Sequence, residues 1–277
     1  MDKIREKYFS HPIFQTLSDI KDFYSNLSFL DFSLPDLVGT RCLNITSEIY
    51  QSIENTIDSI EILLKNYRLN DAAALVRKYN DAVMLSVYIL LTLNDEKESF
   101  FKEDYIYESI LDSWIDNKFN SETEYLLKKG DETVFSLIKK KDKHLANIFS
   151  LDKETYINGR KIGNDNLHYN FFGTCILNME KMLTKHEPVL KYMDDVLKSL
   201  KLILRIHLSC IILLKPFSLR SSDYIDALEM GEEPDEKYIH TAAPYVEKVF
   251  KKYIEQEDKE LANYLKKITS LKFDESK

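Results

Sequence analysis

A chain of 277 residues with only six Gly and six Pro, about 2% of each against averages near 7% and 5%, is poor in turn-formers, so long helices are expected. With 38 basic and 46 acidic residues the net charge is -8, which opposes adhesion to nucleic acid or anionic lipid over the surface as a whole and leaves only local basic patches. Three widely spaced cysteines, Cys42, Cys175 and Cys210, without a CxxC pair or neighbouring histidines, argue against a disulfide framework or a zinc site and for a reducing compartment.

The opening MDKIREKYFSHPIFQ has no seven-residue apolar run after its charges, which predicts no secretory signal and a cytoplasmic location. Residues 11 to 30 place Ile13, Phe14, Leu17, Ile20, Phe23, Tyr24 and Leu27 on one helical stripe, ended near Pro35. From about Asn44 to Tyr67, Ile45, Ile49, Ile53, Ile57, Ile60 and Leu64 repeat at intervals of four and three, a long amphipathic helix. Asn70 and Asp71 suit the cap of a third helix, AAALVRKYNDAVMLSVYILLTL, which is apolar around most of its circumference and therefore central.

Between Asn94 and Asn158 the pattern breaks into shorter helical pieces, FFKEDYIYESILDSWI, TEYLLKK, ETVFSLIKKK and KHLANIFS. LHYNFFGTCILNMEKML reads as another helix, and a last long one runs from Pro188 to about Leu214, with Pro216 after its end. Its LILRIHLSCIILL run is too short and too charged to cross a membrane, so no membrane partner is expected. DYIDALEMG, the acidic turn EEPDE and a helix from Ala243 to Tyr253 lead to a charged tail expected to fray. No alternating strand pattern is evident. The expectation is one all-α domain. It has a four-helix-bundle-like core (about 11–93 and 162–215), a helical insertion (about 94–160) and a C-terminal helical extension (about 217–277).

The segment NGRKIGNDNLHYNFF, residues 158 to 172, gathers Gly, Asn, Asp, Arg, Lys and His just before the helix expected there. Unpaired amides and the dipole at a helix start favour phosphate or carboxylate. Arg160 and Lys161 would add charge, and Asn164, Asp165 or Asn166 would cap; a well-capped helix start beside a solvated loop accounts for the same letters.

The stretch GNDNLHYN resembles the signature of HEPN proteins, an all-helical superfamily of prokaryotic ribonucleases and nucleotide-binding partners, and FFGTCILN resembles the residues that come after that signature in the abortive-infection branch. That motif runs Arg, a polar residue, three or more others, then His. The resemblance implies that His168 is the motif histidine and Asn164 the polar residue. It further implies metal-independent RNA cleavage or binding, homodimerisation, a role in phage defence or a toxin system, and a cognate antitoxin or other partner protein. With four, five or six residues before His168 the arginine slot falls on Gly163, Ile162 or Lys161, whereas Arg160 needs seven. Either Arg160 or Lys161 substitutes, or cleavage is lost and the scaffold serves a noncatalytic helical interaction or regulatory role.

Cleavage without a metal needs a group to move the 2'-hydroxyl proton and a cation to stabilise charge developing on phosphate. The imidazole of His168 titrates near neutrality and suits the first task; the guanidinium of Arg160 suits the second. Arg77, with Asn80 and Asp81 three and four residues later on the third helix, is a further source of that cation, or forms an i, i+4 pair with Asp81 that satisfies a bundle edge. Asn164, Lys161, Asp165 and Asn166 are the expected substrate contacts, with no metal or other cofactor. Lys128 to Lys143 carries six lysines, Lys128, Lys129, Lys139, Lys140, Lys141 and Lys143, against three acids, a basic island that suits either RNA phosphates or solvated helix ends. Arg205 and His207 lie about 200° apart on their helix and cannot share one small site. Tyr and Phe, at 12% with the lone Trp, belong mostly in the core. P-loop, Rossmann, zincin and Gly-x-Ser-x-Gly motifs are absent.

Overall fold

The first long helix begins where the imidazole of His11 accepts the amide of Ile13 at 3.2 Å, with Pro12 in the first turn, where its missing N–H costs nothing. In the computed structural model, which describes residues 2–38, 41–100, 110–116, 134–151, 153–167, 176–178 and 186–273, this helix, α2 (Pro12–Phe32), comes after α1 (Asp2–Phe9). Next come β1 (Asp36–Val38), β2 (Arg41–Leu43), α3 (Ile45–Lys65), α4 (Leu69–Phe100), α5 (Ile110–Ile115), α6 (134–141), α7 (Lys143–Leu151), α8 (Lys153–Leu167) and α9 (His186–Leu214). A 3₁₀ turn (Pro216–Leu219), α10 (Ser222–Glu229), α11 (Glu236–His240), α12 (Pro244–Phe250), a π-helical turn (Lys251–Glu255) and α13 (Lys259–Ile268) complete the elements of the described residues.

The fold is all-α with a bundle-like core. Helix α2 packs on α3, α3 on α4, and α9 on both α2 and α4, while α8 lies across α4 and α9. The apolar stripes read from the sequence face inward: Ile13, Leu17, Ile20, Phe23, Tyr24 and Leu27 of α2 and Ile53, Ile57 and Ile60 of α3 are fully buried. Tyr24 also donates or accepts a hydrogen bond at 2.7 Å with Nδ1 of His207, whose Nε2 lies 2.9 Å from Ser86 Oγ. Burial holds that imidazole down to about 3, so it is a neutral core residue.

Several expectations are corrected. Residues 36–38 and 41–43 form a two-stranded antiparallel pair with Leu37 opposite Cys42, although three-residue strands are too short to show alternation. Asn70 and Asp71 lie inside the first turn of α4 and do not cap it; their amides donate to Oδ1 of Asn178, at 3.1 and 3.3 Å, and Asn178 Nδ2 donates to Asp71 Oδ1 at 2.9 Å. The cap therefore comes from a residue 107 positions away. Of the helix expected over 167–183, Leu167 ends α8, Ile176 is helical, Leu177 and Asn178 form a turn, and the other residues lie outside the described residues. The C-terminal segment does not fray through residue 273: Lys272 pairs with Thr241, and Phe273 stacks on Phe250 with ring centroids 4.0 Å apart.

Two buried ionic groups tie the elements together. Lys215, just past α9, donates to Asp31 of α2 at 2.9 Å, to Asp36 of β1 at 2.8 Å and to Thr46 Oγ1 of α3 at 2.7 Å, while Ser218 donates to Asp31 at 2.6 Å. Asp19 of α2, 1% exposed, accepts from Lys248 and Lys252 at 2.9 and 2.6 Å and from the Tyr253 hydroxyl at 2.7 Å. Among the described residues no helix is long and apolar enough to cross a membrane.

Candidate functional site

The segment expected to precede a helix is the body of one. Residues 158 to 167 continue α8, which starts at Lys153, so Arg160 and Lys161 do not stand at an exposed helix N-terminus and the anion site expected at such an end does not form there. Close packing explains the glycines. Gly159 and Gly163, four apart, share one face of α8. A Cβ on Gly163 would sit 2.7 Å from the Cβ of Arg77, and one on Gly159 would sit 2.6 Å from Ser199 Oγ. No side chain fits between α8 and its neighbours at these points, so the backbones approach each other there.

This approach brings two of the sequence-selected residues to one place. Where α4, α8 and α9 meet, Arg77 and Arg160 line a narrow cavity with Val76, Asn80, Tyr156 and Ser199. It offers about 10 Å³ to the centre of a water, space for a single one. Arg77 Nε donates to Asp81 Oδ2 at 3.0 Å, the i, i+4 pair read from the sequence. The side chain keeps 18% of its exposure, yet its Nη1 is buried without a hydrogen-bond partner among the described residues. Asn80, 3% exposed, donates through Nδ2 to the hydroxyl of Tyr156 at 3.1 Å, and its Oδ1 is likewise buried and unpartnered among the described residues. Arg160 is half-buried.

The other expected contacts scatter. Lys161 and Asn164 are exposed and Asp165 is half-buried. Asn166 is buried, with Nδ2 donating to the Ile162 carbonyl and the Tyr192 hydroxyl, both at 2.6 Å, so it joins α8 to α9. His168, the expected acid–base group, lies outside the described residues, as do Lys128 and Lys129 of the basic island. Lys139, Lys140 and Lys141 are exposed at the end of α6, where cations complement the dipole. Asp142 caps α7 by accepting from the Leu145 amide at 2.8 Å, and it also accepts from the Tyr264 hydroxyl.

Chemically, two arginines lining one cleft suit an anion with several oxygens. Among the described lining residues there is no imidazole or carboxylate to move a proton. Neither is any group of three His, Cys, Asp or Glu arranged, among the described residues, to hold a metal ion. Tyr156 and Ser199 belong to this site and were not singled out from the sequence; Tyr156 stands four residues before Arg160, on the same helix face, the one local signal available. Comparison with family models, curated proteins and solved structures returns no match to this chain.

Proposed function

We propose that this chain is a HEPN-like RNA-binding protein that cleaves RNA without a metal ion, as an effector of phage defence or of a toxin system. The observation that supports this reading is the meeting of Arg77 and Arg160, from helices far apart in sequence, at one cleft. In the proposed reaction His168 accepts the proton of a ribose 2'-hydroxyl, and the resulting oxygen attacks the adjacent phosphorus. The arginines hold the phosphate oxygens as charge builds on them. The bond to the 5'-oxygen breaks, that oxygen takes up a proton, and the products are a 2',3'-cyclic phosphate and a 5'-hydroxyl end.

Total RNA incubated with the protein in EDTA is expected to give fragments ending in cyclic phosphate, and His168→Ala to abolish them. Arg77→Met and Arg160→Met are each expected to weaken binding and to reduce the slope of log affinity against log salt by about 0.7, one phosphate contact on a single strand. The reading fails if His168→Ala leaves cleavage and any growth toxicity unchanged. The homodimer and the cognate partner implied by the family belong to the same proposal, and light scattering on the purified protein measures the first.

A second reading, a noncatalytic helical interaction or regulatory protein, is favoured by one set of contacts: helix packing accounts for Gly159, Gly163 and Asn166, and Asp81 engages Arg77. It expects no RNA fragments, with Arg77→Met lowering stability.

A further inference from the structure

The cleft between α4, α8 and α9 holds two polar atoms whose pairing is incomplete and whose chemistry is complementary. Asn80 Oδ1, on a side chain 97% removed from solvent, accepts hydrogen bonds and has no donor among the described residues; Arg77 Nη1 donates and has no acceptor there. Both side chains border the same space, which admits one water-sized group. Leaving either atom unpaired is costly, so the space suits a small group that donates and accepts at once. A hydroxyl has that size and that pair of capacities. A phosphate does not fit within this space, and it offers the Asn80 oxygen no hydrogen when ionised.

We infer that Asn80 Oδ1 and Arg77 Nη1 form a subsite for a single hydroxyl at the floor of the cleft, while phosphate oxygens lie outward toward Arg160. The ligand is then a phosphorylated molecule with a hydroxyl beside the phosphate, and on the proposed RNA function, on which this inference rests, that hydroxyl is the ribose 2'-hydroxyl of a nucleotide next to the one cleaved, whose own 2'-hydroxyl is left to His168. Asn80 is the residue that separates ribonucleotides from deoxyribonucleotides. Tyr156 positions it, because the phenol oxygen accepts from Nδ2 at 3.1 Å and so fixes the rotation of the amide. Phe135 packs edge-on against the Tyr156 ring at 5.3 Å and holds it in place.

The test measures binding of fluorescently labelled RNA and DNA oligonucleotides of one sequence, without U or T, to the full chain in EDTA. One hydrogen-bonded hydroxyl predicts about tenfold tighter binding of the RNA. Asn80→Ala is expected to bring the RNA-to-DNA ratio close to one. Tyr156→Phe keeps the packing on Phe135 and removes only the oxygen that orients the amide; it is expected to lower the ratio as well, and it serves if the alanine variant does not fold. Equal binding of RNA and DNA by the unmodified chain, or a tenfold ratio that survives in a folded variant, overturns the hydroxyl subsite and leaves the phosphate cleft standing. Binding of neither oligonucleotide overturns both.

Discussion

At the scale of single residues, the sequence shows where charges sit on apolar stripes but not what they meet. Asp19 lies on the buried face of α2, between Thr16 and Phe23, and that placement alone marks it as a residue with a partner. The partners, Lys248 and Lys252, are more than 220 positions away, and no local pattern points to them. Desolvation pushes the Asp19 carboxyl up, but hydrogen bonds from Lys252, Lys248, Tyr253 and Gln15 outweigh it and hold the group near 2, below its ordinary value of 3.8. A folded value below the unfolded one means that this stabilisation is complete above 3.8 and disappears as pH falls toward 2. His207 acts at higher pH in the same direction. Its value drops from 6.5 to about 3 through burial, so below 6.5 the unfolded chain binds a proton that the folded chain refuses. Urea titrations are therefore expected to show stability falling by up to about 1.4 kcal/mol per pH unit between 6.5 and 4, with His207→Gln flattening that slope and Asp19→Asn changing only the acid end.

At the scale of elements, periodicity located the long helices because a half-buried helix must repeat its apolar side chains at three and four; α3 is the clearest case, with Ile45, Ile49, Ile53, Ile57 and Ile60 inward. The same reasoning misread α8. Gly and Asn weaken a helix locally and signal a turn, and the residues that make them acceptable here, Arg77 and Ser199, belong to other helices. The two glycines are expected to differ on substitution. Gly163→Ala drives a Cβ into the Cβ and backbone of Arg77, which cannot swing away, and should cost about 1–3 kcal/mol in urea unfolding. Gly159→Ala meets mainly the Ser199 hydroxyl, and a gain of about 1 kcal/mol in helix propensity offsets much of that clash. Combining Gly159→Ala with Ser199→Ala should restore the midpoint, and failure to do so would place the crowding elsewhere.

At the scale of the molecule, the all-α class and the central positions of α4 and α9 were legible, since composition disfavours strands and apolar circumference demands burial. The site was legible only in pieces. Arg77 and Arg160 stood out as cations in unusual settings, whereas their meeting depends on how α8 crosses α4, which no single segment encodes. The Lys215 group shows the same dependence on assembly, joining α2, β1, α3 and the end of α9 through one ammonium. Lys215→Met would leave Asp31 and Asp36 buried without a cation, and a loss of about 3–5 kcal/mol is expected in urea unfolding. Adding Asp31→Asn and Asp36→Asn to that variant should recover much of the loss, which separates the uncompensated charge from lost packing.

Helix α8 carries Asn158, Gly159, Gly163, Asn164 and Asn166 within fifteen residues, so in isolation it would not hold its shape and it depends on α4 and α9 for its order. Such an element is expected to detach first in a sub-global opening, before α9 unravels. Amide hydrogen exchange under native conditions is expected to be faster along 156–166 than along 196–211. Each detachment would carry Arg160 away from Arg77 and open a crevice the width of one water to molecules of larger size.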